Sequence, residues 1–228
     1  MNSKQSMHKS RLYETFIEKA LLLIALTSIS IILAIFFFLF IEGYPIFHEV
    51  SVQDFLLGEI WQPVSAQPKF GILPMIIGTL LVTLGAVAIA VPLGVGLAVY
   101  MSEIAHPKVC EVLKPTVEIL AGIPSVVFGF LALVVMSPLI ARFFGLSNGL
   151  NALNGSIMLG IMATPLVASI SEDAIRAVPH SYREASLALG ATRWETIRHV
   201  VVPAALSGIV AAVMLGVGRA IGETMTVM

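Results

Sequence analysis

Charged and uncharged stretches alternate along the chain on a length scale far longer than a helical turn. Uncharged, mostly apolar runs cover residues 20–41, 70–102, 119–141, 143–171 and 200–218, and short charged connections separate them. A helix needs about 20 apolar residues to cross the hydrocarbon core of a bilayer. The pattern therefore predicts an all-α, polytopic bundle of five transmembrane helices. The second and fourth runs exceed one crossing and are expected to include loop or interfacial turns. The first follows a basic segment but ends in Glu42-Gly43-Tyr44-Pro45 without a small-residue cleavage pattern, so it reads as a retained anchor rather than a signal peptide.

Composition agrees with this class. Of 228 residues, 57% are hydrophobic and only 12% charged, against about a quarter charged in soluble domains. Lys and Arg total 13 and Asp and Glu 14, so no basic excess points to nucleic acid. The single cysteine, Cys110, excludes an intrachain disulfide framework and reads as a small interfacial residue. The histidines are scattered over connections and form no ligand set, and Met136, Met158, Met162 and Met214 read as packing residues.

Orientation follows from the distribution of Lys and Arg. Lys4, Lys9, Arg11 and Lys19 precede the first run, Lys108 and Lys114 lie in the second connection, and Arg176, Arg183, Arg193 and Arg198 in the fourth. These are ten positions on one side, against Lys69 and Arg142 on the other. A cytoplasmic arm, residues 1–19, is expected to lead into the anchor at 20–41, followed by a transmembrane core over 70–228. No connection has room for a folded soluble domain. No Lys follows a Gly anywhere, so a phosphate-cradling P-loop is missing, and energy must come from a partner or an ion gradient.

Prolines fall inside several runs: Pro92, Pro124, Pro138 and Pro165. Each removes a backbone donor and crowds the preceding turn, which gives either ordinary kinks or broken helices lining a pathway.

The connection 172–203 carries more local signal than any other. Ser181-Tyr182-Arg183-Glu184 and Thr192-Arg193-Trp194-Glu195 both fit capping boxes. Gly190 between them is a natural left-handed helix terminus. The segment reads as helix, glycine turn, helix, with Leu187, Leu189 and Trp194 as apolar knobs. Glu172 and Asp173, just before it, read as solvated. Periodicity alone leaves two roles open: a hairpin lying on headgroups, or a knob that docks into a groove of a soluble partner.

Glu184-Ala185-Ser186, then Gly190, then Val200 and Val202-Pro203, resembles the EAA loop of bacterial ABC importer permeases. Ser186 replaces the motif's second Ala, and Val200 and Val202 replace Ile and Leu. The resemblance implies that Glu184, Ala185, Ser186, Gly190, Ala191 and Pro203 belong to a loop that couples the permease to an ATP-hydrolysing subunit. It also implies the transmembrane fold of type I ABC importers.

Near the C-terminus, Arg219 and Glu223 stand four residues apart, which predicts one shared helix face deep in the bilayer. Charge at that depth is expensive and is turned inward, paired or functional. One reading is a structural ion pair beside Gly218 and Gly222. The other is that Arg219 grips an oxyanion while Glu223 accepts the O–H of hydrogen phosphate and repels sulfate, which has none at neutral pH.

Gly218-Arg219-Ala220-Ile221-Gly222-Glu223-Thr224-Met225 is similar to the permeases of the phosphate-specific ABC importer. So are Ala121-Gly122-Ile123-Pro124-Ser125 and the stretch from Arg183 to Trp194. Met225 and the long anchor are closer to that system's first permease subunit, the PstC type, than to its second, the PstA type. The resemblance implies a multi-pass subunit of a prokaryotic plasma membrane with Arg219, Glu223 and Thr224 on the anion pathway. Its implied partners are a related permease in a heterodimer, two ATP-hydrolysing subunits that bind ATP and Mg, and an extracytoplasmic phosphate-binding protein. No cofactor or metal is expected on the chain itself. The family has a sixth helix, so the core is expected to be C-terminally truncated at Met228. Three alternatives stand beside this reading: the sister permease or one for molybdate or sulfate, a membrane-embedded enzyme using an intramembrane Glu, and a purely structural anchor.

Overall fold

The computed structural model describes residues 2–223, with side chains from residue 14 onward. The chain divides into two units, one up to Pro74 and one from Met75.

The first unit is dominated by α1 (Asn2–Gly43), whose side chains from Leu21 to Gly43 are all exposed. Unbroken apolar exposure around a whole helix suits a membrane span. Two short helices follow, α2 (Ile46–Glu49) and α3 (Val52–Leu57). Ser51 caps α3 by accepting from the Asp54 amide at 3.1 Å. A minimal hairpin pairs β1 (Trp61–Gln62) antiparallel with β2 (Lys69–Phe70), and Trp61 meets Phe70 edge to face.

The second unit is organised around α8 (Ala152–Arg176), which has buried residues along its whole length. Against it pack α4 (Leu73–Val99), α5 (Pro107–Ala121), α6 (Ser125–Leu131) and α12 (Leu206–Ile221). Three apolar layers succeed one another along α8. The first joins Met158, Leu159 and Met162 to Val82, Phe128 and Ala220. The second sets Ala168 against Met101 and Val117, and the third sets Ile175 against Ala98, Val201 and Ile209.

Small residues allow this close packing. Val167, 1% exposed, fills the space left by Gly94 of α4 and Gly216 of α12. A Cβ on Gly94 would lie 2.8 Å from the Val167 Cβ, and one on Gly216 2.6 Å from its Cγ2.

Among the described residues four helices are long and apolar enough to cross a membrane, and five if a bent pair counts as one span. Several boundaries differ from the sequence expectation. The run 119–141 is not one helix: α5 ends at Ala121, and the span begins afresh at Ser125 behind Pro124. The run 143–171, as expected of a run longer than one crossing, holds a loop after α7 (Ser137–Phe144) and then α8, capped by Asn151. Pro92 and Pro165 interrupt nothing, since α4 and α8 run through them. The expected fifth span bends by 68° between Arg193–Ala204 and Leu206–Ile221.

Three π-helical segments, Tyr100–Ile104, Ala132–Met136 and Ile197–Val201, were not expected. Each is followed within three residues by a proline, Pro107, Pro138 or Pro203. Pro138 and Pro203 would each crowd the carbonyl four residues back, at Val134 and His199, and both positions lie in the widened turns.

Because Val167 is wedged between two glycines, Gly94→Val and Gly216→Leu should each lower stability by about 1–3 kcal/mol through overpacking. Gly96→Ala, on the same helix with open space around it, should be near neutral. Thermal unfolding of the purified protein in detergent checks this.

Candidate functional site

The connection between α8 and α12 forms a helix hairpin. It comprises α9 (His180–Ala188), a tight turn, α10 (Arg193–Thr196), the third π segment and α11 (Val202–Ala204). Gly190 adopts φ +88°, a left-handed conformation that favours glycine. Its amide donates to Leu187 O at 3.0 Å and the Ala191 amide to Ser186 O at 3.3 Å. This is a Schellman ending, and it closes the last carbonyls of α9. Thr192 and Glu195 form the expected reciprocal cap: the Thr192 amide donates to Glu195 Oε2 at 2.8 Å, and the Glu195 amide to Thr192 Oγ1 at 3.3 Å.

The other expected cap does not form. With Pro179 as its N-cap, α9 begins at His180, two residues earlier than a Ser181 cap would give, so Ser181 lies inside the helix and caps nothing. Ser186 is buried and shares a hydrogen bond of 2.9 Å with Thr196 Oγ1, which holds the two arms together. Glu184, Ala185, Gly190 and Pro203 are exposed, and Ala191 is half-buried. Leu189 at the tip is 90% exposed and Trp194 60%. The knobs therefore face outward.

At the base of the hairpin two charged clusters escaped the sequence reading. Glu172, read as solvated, is fully buried. Lys114 Nζ of α5 donates to Glu172 Oε2 at 2.8 Å and to Asp173 Oδ1 at 2.9 Å. Arg176 Nε stands in ion-pair contact with Glu172 Oε1, out of hydrogen-bond alignment. Burial without such partners would cost several kcal/mol. Hydrogen bonds to Glu172 and then Asp173 hold the Lys114 ammonium above the ordinary lysine value. A raised pKa means that its contribution is complete at neutral pH and fades only in strong alkali.

In the second cluster, Arg183 Nη2 donates to Glu103 Oε1 at 2.6 Å, and the two side chains are 16% and 10% exposed. These groups border an open groove of about 850 Å³ that also includes Cys110 and Glu118. Nothing periodic in the sequence could have paired Lys114 with Glu172, 58 residues apart. Among the described residues no three His, Cys, Asp or Glu side chains gather as metal ligands would.

The other candidate group lies at the far end of α12, about 20 Å along the helix from Leu206 at 1.5 Å per residue. Arg219 occupies the last turn, where the helix dipole favours a cation. Its Nε is buried without a hydrogen-bond partner among the described residues. The neighbouring Ala220 is buried in the layer with Phe128 and Met158. Since α12 ends at Ile221, Glu223 lies beyond the helix, and the expectation of one continuous helix face through both residues does not hold. Glu223 is half-buried. Thr224 lies outside the described residues.

Several helices apolar enough to span a bilayer, with a capped hairpin between α8 and α12, define a class, the multi-pass membrane protein. Residues 90–228 match the model of the family described as "Binding-protein-dependent transport system inner membrane component", and the chain belongs to that family. It is 46% identical over 205 residues to a probable ABC transporter permease protein, YqgH, of Bacillus subtilis, covering 89% of this chain and 66% of that protein. It is 37% identical over 193 residues to the phosphate transport system permease protein PstC of Mesorhizobium japonicum, covering 76% and 58%. It is 34% identical over 220 residues to PstC 2 of Mycobacterium tuberculosis, covering 89% and 68%. The chain thus spans about two thirds or less of the length of most of these relatives. A chain of the inward-facing MetNI methionine ABC transporter superposes with a TM-score of 0.50 at 28% identity, over 67% of this chain and 68% of that one. The fold is that of an ABC transporter permease.

Replacing Glu172 with Ala leaves Lys114 and Arg176 facing each other without their shared counter-charge. Both cations are partly exposed, so the expected loss is about 1–3 kcal/mol rather than the larger cost of a stranded buried charge. Lys114→Met should cost more than Glu172→Ala, because it leaves the fully buried Glu172 carboxylate with Arg176 alone, out of hydrogen-bond alignment. Thermal unfolding of the two variants gives the ranking.

Proposed function

We propose that this chain is a PstC-type permease subunit of an ABC importer, moving inorganic phosphate across a prokaryotic plasma membrane into the cytoplasm. ATP and Mg are bound and ATP is hydrolysed in two partner subunits, the chain itself having no ATPase site. A related permease completes a heterodimeric pathway, and an extracytoplasmic protein delivers phosphate. The N-terminus is cytoplasmic, as the ten-to-two bias of Lys and Arg favours. The hairpin then faces the cytoplasm together with the C-terminal ends of α4 and α8.

The observation that carries the reading is the hairpin. Its tip is apolar and exposed, with Leu189 and Trp194 outward. Its shape is fixed from within by the Gly190 turn and the Thr192–Glu195 cap. Such a rigid knob suits a groove on a soluble partner, and Glu184, Ala185 and Gly190 are exposed where that partner would sit.

The names of the PstC relatives support phosphate as the cargo. Arg219 supports an anion, because a guanidinium whose Nε lacks an acceptor among the described residues can still donate to an oxyanion. Glu223 adds a filter: it accepts the O–H of hydrogen phosphate and penalises a fully deprotonated ion.

Two measurements test this. Gly190→Asp strains the turn and alters the tip, and Glu184→Lys reverses an exposed charge. Each should weaken co-purification with the ATP-hydrolysing subunit at least tenfold, and unchanged association would count against docking. Glu223→Gln should narrow the preference for phosphate over sulfate about tenfold, or about 1.4 kcal/mol, in competition uptake assays. Unaltered selectivity would remove Glu223 from the filter.

A further inference from the structure

We infer that Arg183 is a positioning residue, a strut that locks the hairpin to the ends of α4 and α8 so that movement of the hairpin reaches both spanning helices. The inference rests on the hairpin being the docking element. It assigns a role to a side chain that lies outside the exposed tip and outside the anion path.

The geometry is that of a braced corner. Every guanidinium nitrogen has a task. Nε donates to Glu103 Oε1 and Oε2 at 3.2 and 3.3 Å, and Nη2 to Glu103 Oε1 at 2.6 Å and to Ile175 O at 3.0 Å. Nη1 donates to Val178 O at 2.6 Å. These acceptors belong to three pieces of structure: the π segment that ends α4, the last turn of α8, and the connection into α9.

Without the brace, α8 and α9 are joined by residues 177–179 alone, and Pro179, which starts α9, has no amide to donate across the corner. The brace spans that corner and ties it sideways to α4. Beneath it Ala98, Ile175 and Val178 belong to one buried apolar cluster, so the polar tie lies over dry packing. A planar five-donor fork meets a carboxylate and two carbonyls at once, which a lysine ammonium cannot do with the same directions.

The test uses the full subunit in its assembled transporter, reconstituted in vesicles with phosphate as cargo. Arg183→Ala and Arg183→Lys should keep ATPase association, lower the thermal midpoint modestly because Glu103 loses its fork, and lower phosphate uptake per ATP hydrolysed tenfold or more. The exchange Glu103→Arg with Arg183→Glu should stay low, because the new side chain cannot donate to the Ile175 and Val178 carbonyls. Spin labels at Leu189→Cys and Leu93→Cys, with Cys110→Ser, should give one narrow distance in the parent and a broadened one in Arg183→Ala. Undiminished uptake per ATP with an unbroadened distance would overturn the strut, and so would full rescue by the charge exchange. Should Arg183→Ala fail to assemble, Glu103→Gln carries the same readouts, with a smaller shift expected and none overturning the idea. A parent hairpin that binds no ATPase sinks the docking reading instead, and the label distance on the subunit alone still judges the strut.

Discussion

In hydrocarbon no water is available to satisfy a backbone amide or carbonyl, so each turn of a spanning helix must close on itself or on a neighbour. The placement of irregular backbone here follows from that constraint. Pro138 and Pro203 each remove a donor, and the chain answers by widening the preceding turn into a π segment. The widened turn ending α6 receives outside help. Asn154 of α8, 2% exposed, donates through Nδ2 to Ala132 O at 3.1 Å and to Gly149 O at 3.2 Å. A buried polar side chain on the central helix thus supports a neighbouring helix where its own ladder is disturbed, and α8 is central for polar reasons as well as apolar ones.

The same constraint sorts the charges. Glu172 is tolerated at zero exposure because α5 supplies Lys114 and its own helix supplies Arg176 one turn on. Glu103 and Arg183 neutralise one another a short way off. Both clusters lie at the end of α8 that carries the hairpin, making that end a directional, hydrogen-bonded platform. The opposite end of α12 has a different character, with a single arginine on the last turn whose Nε lacks a partner among the described residues. One end is closed by its own ion pairs, while at the other a guanidinium Nε stands buried without an acceptor among the described residues.

Much of this was legible in the sequence where a single local rule decides the outcome. The spans show as uncharged runs because desolvating charge is costly. The Gly190 turn and the Thr192–Glu195 cap show because each is settled within four residues. Rules failed where a neighbour outvoted them. Ser181 has the letters of a cap, but Pro179 starts the helix first. Glu172 sits at a helix end where solvent is the default, yet a lysine 58 residues away buries it. The one-face placement of Arg219 and Glu223 assumed a helix that runs on, whereas α12 stops at Ile221. The 68° bend at Ala205 was hidden for a similar reason, since an apolar run reads the same straight or folded.

The two ends of the hairpin are attached by unlike physics. Pro179 and Pro203 bracket it, and each removes an amide that could have stiffened its junction. At the first junction a charged fork compensates, fixing direction as well as distance through Glu103 and two carbonyls. At the second, Val201, Ala205 and Ile209 are buried in apolar contact with Ile175 and Ala98. Such contact is non-directional and resists separation more than rotation. A pull on the hairpin would therefore pass faithfully into α4 and α8 through the polar junction, while α12 could swivel on the apolar one. Farther along, Val167 set against Gly216 and the layer joining Ala220 to Met158 and Met162 hold α12 against α8, so the freedom of the apolar junction is confined to the hairpin end of the bundle.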